Sequence, residues 1–303
     1  MNFLKSLSSS AILPCTILLS CLCADLSAQV SRGCVKEGLS IESAILGRSV
    51  NYAVYQPYDY YTSNRSYPVV YLLHGLGDDE TGWVQFGEIQ AVADAAIAAQ
   101  QIAPMIIVMP DGKKTWYINN FDGSCNYEDF FFKEFIPAIE TSFRIRSEKR
   151  FRGIAGLSMG GYGSLIYSFK HPEMFAACAA FSAGVHTDDE ILSRSADDWN
   201  YASGAVFGPD LKGADRLSAH YRSNSVLDLA ATLDKDKLSS VRFYLDCGDD
   251  DFLTQGNSLL HMKLCERGIY HENRMRDGGH KWSYWRSGIK DGLAFISTSF
   301  HQD

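Results

Sequence analysis

Runs of nearly unbroken apolar residues recur along the chain, separated by stretches in which apolar residues return every three or four positions. The runs are Tyr67–Leu73 (YPVVYLL), Met105–Met109 (MIIVM), Phe151–Ala155, Phe175–Phe181 and Val241–Asp246 (VRFYLD). Strict alternation would mark strands with one wet face; continuous runs predict strands covered on both faces. Helical spacing holds over Glu88–Gln100, Tyr127–Phe143, Gly161–Phe169, Thr254–Gly268 and Trp282–Phe300. In the second of these, Phe131, Phe135, Ile136 and Ile139 share one face. Leu39–Ile45 and Arg48–Tyr55 predict an N-terminal hairpin turning at Leu46-Gly47, and His271–Arg276 a last short strand. Strands alternating with helices predict an α/β fold, a mostly parallel sheet with helices on both faces. Ser182–Ser240, of mixed helical and loop character, interrupts the alternation and is expected to act as a cap or substrate-facing insertion.

Neither an internal repeat nor a low-complexity linker divides the 303 residues, which fits one large domain. A formal net charge of −8 without any basic run excludes nucleic acid as a natural partner. The N-terminus reads differently from the rest. A basic start at Lys5 leads into the apolar run Ala11–Leu22, too short to span a bilayer, and then into Leu26-Ser27-Ala28. We expect residues 1–28 to be a signal peptide, the protein to be exported to the periplasm or beyond, and 29–303 to be the folded domain. A competing reading takes Leu18-Leu19-Ser20-Cys21 as a lipobox that would leave a lipid anchor on Cys21. Three of the eight cysteines (Cys15, Cys21, Cys23) fall in this leader, leaving Cys34, Cys125, Cys178, Cys247 and Cys265. Their spacings match no zinc pattern, Cys178 and Cys247 sit in or beside apolar runs as small hydrophobes, and neither metal nor cofactor is expected. Oligomeric state is not legible.

The chemistry centres on Gly156-Leu157-Ser158-Met159-Gly160, a G-x-S-x-G sequence between an expected strand and an expected helix. In that context the serine rides a tight turn at a sheet edge and a helix N-terminus, where backbone N–H groups can meet developing negative charge. A serine hydroxyl needs a base, and the base an orienting acid, in the chain order Ser, Asp/Glu, His. Both follow. The strand Val241–Asp246 runs into Asp249-Asp250-Asp251, and His280 stands on the loop Gly278-Gly279-His280 before the last helix. Chain order alone does not choose among the three acids.

Further landmarks are Tyr71–Gly77 (YLLHGLG), Glu80–Trp83 (ETGW), Val108–Gly112 (VMPDG), Asp122–Ser124, Gly153–Gly161, Cys247–Leu253 and Gly278–Trp285 (GGHKWSYW). Together they resemble the putative-esterase family of α/β-hydrolases, over about Leu39 to Phe300. That family includes feruloyl and acetylxylan esterases of carbohydrate esterase family one, S-formylglutathione hydrolases, siderophore esterases and mycolyltransferases. The resemblance implies an α/β-hydrolase fold and a catalytic set of Ser158, Asp251 and His280, with Asp250 as fallback because acids fill all three positions of the loop. It also implies an oxyanion hole from the N–H groups of Met159 and of Leu76 (or Gly77), with His74 shaping that loop. Export argues against the cytosolic glutathione-thioester role. The expected activity is therefore hydrolysis of feruloyl or acetyl esters on plant polysaccharide. Alternatives are a short-chain or siderophore esterase, an acyltransferase, or a carbohydrate-binding protein on a hydrolase scaffold. Trp116, Trp282 and Trp285 are the candidate walls of an acyl or sugar pocket, His171 is expected at a helix terminus, and His186 on the surface.

Overall fold

The structure is a computed structural model describing residues 32–301. The expected leader, with its cleavage site after Ala28 and the alternative anchor at Cys21, lies outside the described residues. Eight strands, β1 (Cys34–Ser43), β2 (Arg48–Gln56), β3 (Val69–Leu73), β4 (Ile106–Pro110), β5 (Arg152–Leu157), β6 (Ala177–Phe181), β7 (Arg242–Gly248) and β8 (His271–Arg276), form one sheet. Their order is β1-β2-β4-β3-β5-β6-β7-β8. The hairpin partners β1 and β2 pair antiparallel, as do β2 and β4, and every pairing from β4 to β8 is parallel.

The continuous apolar runs are explained by what lies on either side. In β3, Val69, Tyr71 and Leu73 face one core, and Val70 and Leu72 face the other. The second core is closed by α1 (Ile89–Ala98) and, at the chain's end, by a helix over Trp282–Ser297 through Ile289, Leu293 and Ile296. The first is closed by a helix spanning 127–142 (α2) and by α3 (Met159–Lys170), with Leu260 and Leu264 of α4 (Thr254–Glu266) beside them. The C-terminal helix Trp282–Ser297 is α5.

In α2 the four expected inner residues are all buried, but Phe131–Phe135 is wound as a π-helix. Pro137 follows at once; it has no N–H to donate and its ring cannot sit against the carbonyl four residues back, so the helix widens there. Between β6 and β7, residues 182–240 fold as short helices, of which Val226–Thr232 is among the longest. The five cysteines among the described residues are all free, with Cys178 and Cys247 buried and their thiols pushed up to about 12 by that burial.

Candidate active site

Strand β5 is buried along its whole length and ends at Leu157, so the next residue emerges where parallel strands present their carboxyl ends. That residue, Ser158, has φ 54° and ψ −116°, a backbone conformation costly for any residue with a Cβ. The neighbouring glycines make the turn feasible. A Cβ on Gly156 would lie 2.4 Å from the backbone of Gly160, and one on Gly160 would lie 2.4 Å from the Leu73 carbonyl oxygen. The elbow is locked by hydrogen bonds from the Ser158 N–H to Phe181 O (2.9 Å) and from the Gly184 N–H to Ser158 O (2.8 Å).

Three strand ends meet over this turn. His280 Nε2 lies 3.0 Å from Ser158 Oγ, and its Nδ1 lies 2.9 and 3.1 Å from the two carboxylate oxygens of Asp251. A carboxylate can only accept, so Nδ1 carries the proton and Nε2 is left as the acceptor for the serine hydroxyl. Asp251 is buried, and burial acts to raise its carboxyl. Hydrogen bonds from His280, the Leu253 N–H and Ser182 outweigh that and hold it below its ordinary value. The His280 ring is flanked by Phe252, 4.5 Å away on the solvent side, and by the edge-on indole of Trp285, 4.8 Å away on the core side.

Of the acidic triplet only Asp251 turns inward; Asp249 and Asp250 are exposed. Asp249 nonetheless ties the two loops together, accepting from the N–H of Gly278 at 3.0 Å. Leu76 and Met159 sit beside the serine, and neither N–H has an acceptor among the described residues, which leaves two donors free to meet an oxyanion. His74 is buried with both ring nitrogens committed to backbone: Nδ1 donates to Gly75 O and Nε2 accepts from the Gly112 N–H, each at 2.8 Å. The arrangement can generate an alkoxide-like nucleophile, shuttle its proton and offer unpaired backbone donors beside it.

The model of the putative esterase family matches residues 43–296. The chain belongs to this family. An esterase of Mycobacterium tuberculosis is 31% identical over 257 residues, 79% of this chain and 54% of that protein. An endo-1,4-beta-xylanase/feruloyl esterase of Xylanibacter ruminicola is 35% identical over 150 residues, 47% of this chain and 21% of the relative. The chain thus spans about half of the first relative's length and about a fifth of the second's. A solved ferulic acid esterase superposes with a TM-score of 0.77 at 32% identity, covering 89% of this chain and 99% of its own. The fold is that of the α/β-hydrolases.

A cleft of about 190 Å³ opens beside Ser158. Trp116 lines it, as expected, held by its indole N–H to Ala202 O and by edge contact with Tyr162. Trp282 and Trp285 do not. They sit about one turn apart on α5 and point into the core layer beneath it, Trp282 against Trp83 and Phe86, and Trp285 donating to Ser182 Oγ at 3.0 Å. His171 ends α3 as expected, 3.0 Å from Glu128. His186 is the clearer correction: it faces the cleft, not solvent. Thr187 and Glu190 form a reciprocal capping box that starts the next helix, and this turns His186 back toward Gly184. Its Nε2 accepts from Arg194 at 2.6 Å, and burial together with that guanidinium holds its pKa down to about 3. Arg194, Asp198, Tyr201 and Phe252 also line it, and sequence reasoning singled out none of them. The one signal was position, since Arg194 and Tyr201 lie in the insertion expected to cover the site.

Proposed function

We propose that this chain is a serine carboxylesterase that works through an acyl-enzyme on feruloyl or acetyl esters of plant polysaccharide, outside the cytoplasm. The observation that carries the chemistry is the continuous relay from Asp251 through His280 to Ser158 at a strained strand–helix turn. Ser158 Oγ attacks the ester carbonyl carbon as its proton passes to His280 Nε2. The carbonyl oxygen becomes an oxyanion held by the N–H groups of Leu76 and Met159. Collapse expels the alcohol, which takes the proton back from His280. Water then repeats the sequence on the acyl-enzyme, releases the acid and restores Ser158.

The cleft supports an acyl group of limited size. At about 190 Å³ it falls below the roughly 300–1,000 Å³ of sites that enclose a drug-sized ligand, so it suits one ring or a short acyl chain, with the sugar left outside. Trp116, Tyr201 and Phe252 offer aromatic surface and Arg194 offers N–H donors, a combination matched to an oxygenated aromatic acid. The names of the Xylanibacter relative and of the solved ferulic acid esterase agree with that class.

The test is kcat/KM on methyl ferulate against p-nitrophenyl butyrate, with Ser158→Ala as the blank. A preference for ferulate of tenfold or more supports the aromatic-acyl reading. A preference for butyrate, followed by turnover of acetylated xylan, moves the assignment to an acetyl or short-chain esterase. Activity surviving Ser158→Ala would overturn the mechanism.

A further inference from the structure

Away from the cleft, at the other end of the sheet, three side chains with metal-binding atoms converge. His261 and Cys265 are four residues apart on α4 and share one face of that helix. His271 is the first residue of β8, the edge strand of the sheet. His261 Nδ1 lies 2.7 Å from His271 Nε2, and Cys265 Sγ lies 3.7 Å from His261 Nδ1 and 3.9 Å from its Nε2. One ligand atom from each of the three residues falls within 4.8 Å of the others, with the histidines half-buried and the thiol exposed.

Several details distinguish this group from a chance surface contact. His271 Nδ1 donates to Ile269 O at 2.9 Å, which leaves Nε2 as a lone pair aimed at the other two residues. A hydrogen bond from the far ring nitrogen to a backbone carbonyl is how metal-binding histidines are held in the right tautomer. The spacings are also close to those of a tetrahedral zinc site. Zn–N of about 2.05 Å and Zn–S of about 2.3 Å place two nitrogens roughly 3.3 Å apart and a nitrogen and sulfur roughly 3.6 Å apart. The distance from Cys265 Sγ to His261 Nδ1 already fits, and the imidazole pair needs to open by about 0.6 Å, within reach of side chains at a surface.

We propose that His261, Cys265 and His271 form a zinc-binding site with water as fourth ligand, separate from the esterase centre. Two imidazoles and one thiolate are a borderline-soft donor set that selects zinc over calcium or magnesium. On binding, the Cys265 thiol loses its proton to water and the His261 proton moves from Nδ1 to Nε2, so one proton leaves per ion bound. The site clamps α4 to β8. Helix α4 begins at Thr254, just after Asp251, and β8 ends at Arg276, just before the loop that carries His280. A bound ion therefore braces the stems of both loops from the opposite end of the sheet, and its effect is on stability, with the chemistry left to the serine centre.

The experiment titrates the metal-free full chain with Co²⁺ and reads the near-ultraviolet thiolate-to-cobalt band and the visible bands of a tetrahedral ion. One equivalent is expected to produce both, Zn²⁺ is expected to displace them, and Tm is expected to rise with Zn²⁺. Cys265→Ser is expected to remove the charge-transfer band and His271→Ala to weaken zinc binding by more than about tenfold, both with metal-free esterase turnover unchanged. Absence of the thiolate band, or a band that survives Cys265→Ser, would overturn the proposal, the latter by placing the ion on other cysteines. Neither outcome depends on which ester the enzyme cleaves.

Discussion

Replacing Asp251 by Asn keeps the shape of the acid and removes only its charge and one acceptor. In the native loop Asp251 Oδ1 accepts from the Leu253 N–H at 2.9 Å, and Oδ2 accepts from His280 Nδ1 at the same distance. An asparagine in that place keeps its carbonyl oxygen on the Leu253 N–H, because the amide NH₂ cannot accept. The NH₂ then faces His280 Nδ1 and forces that nitrogen to become an acceptor. The imidazole proton moves to Nε2, which confronts Ser158 Oγ across 3.0 Å with a donor where the base should be. The imidazolium formed during attack also loses its counter-charge. Comparable changes in serine hydrolases cost about 10⁴ in kcat, or roughly 5.4 kcal/mol of transition-state stabilisation. Asp250→Asn is the control: that side chain is exposed, and a change within about twofold is expected. The assay is kcat/KM on p-nitrophenyl butyrate for both variants, with Tm to establish that each is folded. A folded Asp251→Asn enzyme within tenfold of wild type, or an equal loss in Asp250→Asn, would refute the assignment of the acid.

Two further outcomes follow from the cleft and from the loop beside it. Arg194 donates to His186 and to Ser203, and no carboxylate lies within ion-pair distance of it among the described residues, so its remaining N–H groups are available to a ligand. Arg194→Met should lower kcat/KM on methyl ferulate by about 10- to 100-fold, the value of one charged hydrogen bond, and leave a small acyl ester nearly unaffected; equal losses on both would rule out a role in acyl recognition. For Asp111, burial acts to raise the carboxyl, but the Lys113 ammonium at 2.8 Å and the Lys113 N–H at 2.9 Å bring it from 3.8 down to about 2. A depressed carboxylate stabilises the fold above its unfolded value and loses that contribution as pH falls through its folded one, here between about pH 4 and pH 2, a term on the order of 2 kcal/mol. Urea midpoints measured across that window should flatten in Asp111→Asn, and an unchanged slope would show that Asp111 does not drive acid unfolding.

Much of this was legible in the chain because the strongest signals are those of geometry that tolerates few residues. The central strands announce themselves as continuous apolar runs, since a parallel strand covered on both faces leaves few positions for a polar side chain. Gly156 and Gly160 are legible for a related reason: a Cβ at either would strike backbone, so the pattern around Ser158 records a steric necessity. The wall of the cleft was not legible. His186 precedes three polar residues and reads as surface, but the Thr187–Glu190 box that turns it inward depends on where the next helix starts. Trp282 and Trp285 erred in the opposite direction. Proximity to His280 in sequence suggested the pocket, and helical phase sent both rings under α5. The His261–His271 contact joins a helix face to a strand start, and no linear spacing records such a pair.

The placement of the base shows how the fold divides its work between positioning and recognition. Behind the His280 loop, fully buried Asp246 on β7 accepts from Arg276 at 3.1 Å and from the hydroxyls of Tyr244 and Tyr284. Burying such a pair returns little net stability, because desolvating both charges offsets most of their attraction. Its position supplies a better reason. Arg276 ends β8 and Tyr284 lies in the first turn of α5, so the network fastens both stems of the five-residue segment that carries His280 to the strand that leads into Asp251. Trp285 and Ser182 add a second tie, from α5 to the end of β6. Ser158, Asp251 and His280 are thus held by strand ends and buried polar contacts. Arg194 and Tyr201, which line the cleft, come from 182–240, whose short helices form no part of the sheet. Substitutions in that segment are expected to reshape the cleft while the 3.0 Å contact between Ser158 and His280 stays in place.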